Sequence, residues 1–96
     1  MEFEELITQK REEILNLAAQ HGARNVRIFG SVARGEAHQD SDIDFLIDLG
    51  EKLSPWFPVR FIRDLENLLG CKVDVITEKG LKERIRERVI QEAVPL

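Results

Sequence analysis

Apolar side chains recur at Phe3, Leu6, Ile7, Ile14, Leu15 and Ala18. Spacings of three, four and seven predict an amphipathic helix from about Phe3 to Gln20, with Gly22 marking its end. The period then shortens to two. "NVRIFG" predicts a strand with Val26 and Ile28 on one face and Phe29 on the other, closed by Gly30. "SVARGEAHQD" holds no sustained period and reads as a turn, or one turn of helix, followed by a loop. In "SDIDFLID", Ile43, Phe45 and Ile47 alternate with Asp42, Asp44 and Leu46, the signature of a second strand. "GEKLSPWFP" is a Pro-containing loop. Beyond it Ile62, Leu65, Leu68 and Leu69 form the stripe of a helix from about Val59 to Leu69, ended by Gly70. "CKVDVIT" predicts a third strand, with Val73 and Val75 opposite Asp74 and Ile76, and Leu81, Ile85, Val89 and Ala93 mark a last helix from Leu81 to Ala93. The order predicts an α+β fold, a two-layer α/β arrangement of about three strands with helices packed against one face. Periodicity leaves strand order and direction open.

Composition narrows the class. With 96 residues, 43% of them apolar, the chain is expected to be one domain, residues 1–96, around one core. No apolar run approaches the ~18 residues of a spanning helix, and the acidic start "MEFEELITQKREEIL" lacks the basic and apolar regions of a signal peptide. A lone cysteine, Cys71, forms no internal disulfide, so a cytoplasmic location and no membrane partner are expected. A formal net charge of −4 makes nucleic acid an unlikely direct substrate, although a local basic patch remains compatible with a polynucleotide contact.

The acidic residues change the picture more. Asp42 and Asp44 are two apart on a predicted strand, which puts their Cα atoms ~6.5–7 Å apart on one face. Carboxylates that close raise each other's pKa unless a cation lies between them. Hard cations such as Mg²⁺ are held by one or two carboxylates plus substrate phosphates. Asp74 is a third acid within an apolar strand. If its strand neighbours that of the pair, three carboxylates converge in the arrangement that holds two metals ~4 Å apart for displacement at phosphorus. Asp48 shares the parity of the pair, but beside Leu49 and Gly50 it reads as a turn residue.

Gly30 and Ser31 supply context. A glycine lets backbone N–H groups approach an anion closely, the Ser31 hydroxyl and nearby amides suit phosphate oxygens, and Arg34 adds a planar cationic fork. No Gly-Lys-Ser/Thr follows, so this is not a Walker loop.

Taken together, Gly30-Ser31-x-Ala33-Arg34-Gly35-Glu36, Ser41-Asp42-Ile43-Asp44, "KVDVIT" and "IRERVIQEAV" resemble the polymerase-beta-type nucleotidyltransferases, and most closely the minimal nucleotidyltransferases encoded beside HEPN-domain partners. The resemblance covers nearly the whole chain. It implies a polymerase-beta-like nucleotidyltransferase core, a small mixed sheet backed by helices, and transfer of a nucleoside monophosphate from ATP or another NTP with two Mg²⁺ ions. On this sequence it assigns Asp42 and Asp44 to both metals and Asp74 to the catalytic one, with a part in deprotonating the acceptor. Gly30, Ser31 and Arg34 would bind the nucleotide triphosphate. It further implies an antitoxin that modifies a hydroxyl of a HEPN ribonuclease toxin. The chain lacks the second domain of larger relatives, so the acceptor surface is expected from a partner or an oligomer. The alternative is a binding antitoxin that neutralises its partner by occlusion.

Outside the motif, Trp56 and Phe57 read either as a partner anchor or a stacking surface for a base, or as a cap on the core under a long loop. Arg84 and Arg88 read as a solvated helix face. His38 reads as a loop residue, His21 as a helix-terminal residue favoured by the dipole, and Cys71 as a small apolar residue.

Overall fold

A computed structural model describes residues 3–38 and 40–96. The amphipathic stripes become α1 (Phe3–His21) and α3 (Val59–Leu69), and the alternating runs become β1 (Ala23–Phe29), β2 (Ile43–Leu49) and β3 (Val73–Thr77). Gly30–Ala33 forms a four-residue helix, α2. α3 stops where its apolar stripe stops: Gly70 takes a left-handed φ of 71° and donates its N–H to the Glu66 carbonyl, a conformation that favours glycine.

The sheet has four strands rather than three. β4 (Val94–Pro95) follows α4 (Glu83–Glu92), and the order across the sheet is β3-β2-β1-β4. β1 is antiparallel to β2 and β4, whereas β2 and β3 run parallel, joined by the crossover through α3. α4 starts at Glu83, later than its apolar pattern suggests, because Glu78–Gly80 forms a 3₁₀ turn with the Thr77 hydroxyl accepting the Gly80 N–H. Leu81 is buried from outside the helix.

β2 lies in the interior, with Ile43, Phe45, Leu46 and Ile47 fully buried. Ile43, Phe45 and Ile47 pack with Val26, Ile28 and Val73 under α1 and α3, as the alternation predicts. The other face is not bare. Phe29 and Leu46 pack there against Leu81 and Val89, with Ile76, Ile85 and Ala93 alongside, so α4 lies opposite α1 and α3. Helices therefore flank both faces of the sheet instead of one. α4 covers only part of its face, and the rest carries the acidic residues. Among the described residues no helix is long and apolar enough to cross a membrane.

Candidate active site

The strand register brings the acids together. β2 and β3 pair in parallel with Asp44 opposite Asp74 and Ile43 opposite Val73. Paired strands lie ~4.8 Å apart, so the two carboxylates rise side by side from the face that α4 leaves open. Val73 and Val75 point into the opposite core and hold Asp74 on this side. Asp42 sits immediately before β2, at its first turn of chain, and not within the strand.

The β1–β2 pairing adds the glycine turn. Phe29, the last residue of β1, lies opposite Asp44. Gly30 follows directly and takes φ +78°, and any Cβ there would collide with the Asp44 carboxylate. Glycine is thus required twice, for its conformation and for the approach of the acid. Gly30 opens α2, and Ser31 follows within it, half-buried.

Charge at this cluster is one-sided. Burial pushes the Asp44 carboxyl up to about 6, and the neighbouring Asp74 and Asp42 push in the same direction against a weaker pull from Arg34. Asp42, Asp44 and Asp74 enter no ion pair among the described residues. No three His, Cys, Asp or Glu side chains among the described residues close into a metal cage by themselves.

Arg34 is oriented by carboxylates. Its Nη1 donates to Glu92 Oε1 at 2.8 Å and its Nε to Glu36 Oε2 at 2.9 Å. Glu92 Oε2 also accepts the Gly30 N–H at 2.9 Å. Burial would raise the Glu92 carboxyl, but the bonds from Arg34 and Gly30 outweigh it and hold it below the usual carboxylate range. The sequence offered little to single out Glu92: it stands at the end of a charged helix, 62 and 58 residues from its partners.

The remaining singled-out residues lie elsewhere. Asp48 is in β2 and not in a turn, and its carboxylate accepts from Arg27 Nη2 at 3.0 Å and Asn25 Nδ2 at 3.0 Å. His21 is buried, not simply a helix end, with its ring between Ser54 Oγ at 2.6 Å and Asp64 Oδ2 at 2.7 Å and packed on Phe61. Phe57 stacks on Phe61, while Trp56 is 78% exposed with φ +63°. That loop follows the far end of β2, roughly 20 Å of strand away from Asp42. His38 accepts the Asp40 N–H within its own loop. Arg84 and Arg88 are exposed as expected, but Arg86 turns inward to the Glu78 and Leu81 carbonyls. Burial, with Asp42 and Glu66 nearby, raises the Cys71 thiol, which makes it a poor nucleophile.

A mixed sheet with an acidic pair at the start of one strand, a third acid on its parallel neighbour and a glycine turn facing them defines the core of a nucleotidyltransferase. The profile of the nucleotidyltransferase domain family matches residues 8–96. Protein adenylyltransferase MntA of Thermococcus cleftensis is 38% identical over 93 residues, covering 97% of this chain and 91% of that protein. A Methanocaldococcus jannaschii protein described as a protein adenylyltransferase is 38% identical over 88 residues, covering 92% and 95% of the two chains. A solved chain described as a minimal nucleotidyltransferase is 49% identical with a TM-score of 0.85, covering all of this chain and 97% of that one. A toxin–antitoxin structure with AMP-PNP shares the fold, at 20% identity and a TM-score of 0.72 over 88% of this chain and 69% of that one. The chain belongs to the nucleotidyltransferase domain family, among its minimal nucleotidyltransferases, and is an enzyme of that class.

Proposed function

We propose that this chain transfers AMP from ATP to a hydroxyl of a partner protein, and that the partner is a HEPN ribonuclease toxin which the transfer neutralises. The observation that carries the reading is the register-matched Asp44–Asp74 pair, joined by Asp42 and faced by the Gly30 turn, in no ion pair among the described residues. Relatives named protein adenylyltransferases support AMP as the transferred group and protein as the acceptor.

The carboxylates fit hard divalent cations. The described residues form no ready-made group of three ligands, and carboxylates set beside one another, with Asp42 and Asp74 acting on Asp44, suit Mg²⁺, which takes its remaining ligands from phosphates and water. Two bound ions would neutralise charge on the triphosphate and favour the ionised acceptor hydroxyl. Asp42 and Asp44 would hold both ions and Asp74 the one nearer the acceptor.

The protein's own residues then do the following. The Gly30-Ser31 turn binds the phosphates, and Arg34 contributes positive charge at its edge. The acceptor oxygen forms a bond to the α-phosphorus as the bond to the β-phosphate oxygen breaks, and pyrophosphate leaves. Asp74, the most exposed of the three acids, takes the hydroxyl proton. Holding the reactants in line supplies much of the rate.

The test is the mass of the toxin after co-expression, or after incubation with ATP and Mg²⁺. AMP-sized increments are expected with the wild type and none with an Asp42→Asn/Asp44→Asn variant. Equal masses in both arms sink the reading. The exposed Trp56 favours a second reading, occlusion of the toxin by binding; a double-Asn variant that binds the toxin and fully neutralises it would establish that instead.

A further inference from the structure

We propose that Glu92 is a positioning residue for nucleotide binding: one carboxylate braces both ends of the α2 turn and so sets how Ser31 and Arg34 meet the triphosphate. This rests on the nucleotidyl-transfer reading above. α2 has four residues and no side-chain cap at Phe29, and so short a helix does not hold its own geometry. Glu92 provides the hold from outside. Oε2 receives the N–H of Gly30 at the first position of the turn, and Oε1 receives Nη1 of Arg34 at its C-cap. With two oxygens on one rigid plane, the carboxylate fixes the separation of the two ends.

The brace is itself anchored on both sides. Within α4, Val89 is buried, and Arg86 is tied to the Glu78 and Leu81 carbonyls. Immediately after Glu92, Ala93 donates to the Val89 carbonyl, Val94 pairs with Ile28, and Leu96 donates to the Val26 carbonyl. The Glu92 side chain is only 15% exposed, against 42% for Arg34, so the acid is the fixed member and the arginine the member it aims. Glu36 holds the Nε side of the same guanidinium and fixes its plane. Glu92 takes the first amide of the turn and leaves those of Ser31 and Val32, which have no acceptor within the helix.

The test uses the full chain with its toxin partner. Adenylylation is measured against ATP concentration for wild type, Glu92→Ala and Glu92→Gln. Glu92→Ala loses both bonds, and its KM for ATP is expected to rise about tenfold or more with a smaller fall in kcat. Glu92→Gln keeps an acceptor for Gly30 and is expected to recover part of the loss, which also covers the case of an alanine variant that folds poorly. Arg34→Lys should raise KM too, and less than additively with Glu92→Gln. Amide exchange in the nucleotide-free chain should quicken about tenfold or more in Glu92→Ala at Gly30 and at Arg34, Gly35 and Glu36, whose N–H groups bond to Glu92 or within the turn, while β2 and β3 keep their protection. An unchanged KM with unchanged exchange overturns the proposal. So does tighter ATP binding by Glu92→Ala, which would make the carboxylate a plug in the phosphate position. A wild-type chain that neither binds ATP nor modifies the toxin overturns the functional reading and this one with it; a wild type that does both isolates the failure to Glu92.

Discussion

Where β2 ends, Arg27 sits between Asp48 and Glu78, and His21 sits between Ser54 and Asp64. Where β2 begins, Asp42, Asp44 and Asp74 face one another with no cation among the described residues to pair them. The strand between them is the same apolar core run, so the difference is not one of burial alone. At the paired end, Arg27 ties β1 to β2 and to the turn after β3, and His21 ties α1 to α3 and to the loop after β2. At the unpaired end, burial together with the neighbouring Asp74 and Asp42 pushes the Asp44 carboxyl up to about 6. Charges balanced at one end of a small protein and like charges left together at the other make the second end the candidate ligand site.

The sharpest way to break this comparison is one substitution at each end. Asp44→Asn should lower transfer by about 10³-fold or more, since each tenfold needs only ~1.4 kcal/mol of barrier, with a melting temperature no lower than wild type. Asp48→Asn should leave transfer within about threefold and cost about 1 kcal/mol of stability, its pair being partly exposed. Initial-rate assays and thermal melts read both; an inert Asp48 variant or an unfolded Asp44 variant breaks the contrast.

Next in size is His21→Ala. It removes a buried ring and leaves Ser54 and Asp64 without their partner, at about 2–3 kcal/mol. Calorimetry should show a melting temperature lower by roughly 10 °C, while ATP binding measured well below that temperature stays as in wild type.

A smaller effect separates the ends by pH. Asp44 has a carboxyl at about 6 in the fold against 3.8 as a free side chain. Its favourable contribution is full below 3.8 and is lost as pH rises through about 6. Metal-free protein should therefore melt higher at pH 5 than at pH 7, by more than Asp44→Asn does, and Mg²⁺ at pH 7 should recover the difference. Parallel slopes for the two proteins would rule out a raised Asp44 carboxyl, from burial and from its acidic neighbours, as a feature of the fold. Smallest of all, Trp56→Ala should change stability by no more than about 0.5 kcal/mol in denaturant titration, because its ring is mostly in solvent.

Much of this was legible along the chain where the physics is local. The Val59–Leu69 helix follows from its stripe and from Gly70, and the buried face of β2 follows from Ile43, Phe45 and Ile47. The parity of Asp42, Asp44 and Asp74 could be read, but their meeting depended on β3 lying beside β2, which no local period encodes. β4 was hidden because Val94–Pro95 is too short to alternate, and proline belongs at a sheet edge. Leu81 continues the apolar spacing of the last helix two residues ahead of its start, with an extended backbone that lies outside it. Arg27, His21 and Glu92 were out of reach for one shared reason: their partners lie between 21 and 62 residues away, and a polar side chain carries no mark of which distant group it will find.

The parallel register of β2 and β3 has a consequence in time. Asp74 reaches Asp44 only after the chain has crossed over through α3 and laid its third strand down, a long-range step that costs loop-closure entropy before it is rewarded. A growing chain that has left the ribosome only as far as residue 70 already carries the glycine turn and the first two acids, yet lacks the third acid that the sheet sets beside them. The recognisable motif is thus translated first and the assembled acidic cluster last, so a truncated or half-folded copy would display the signature without the third strand that completes it.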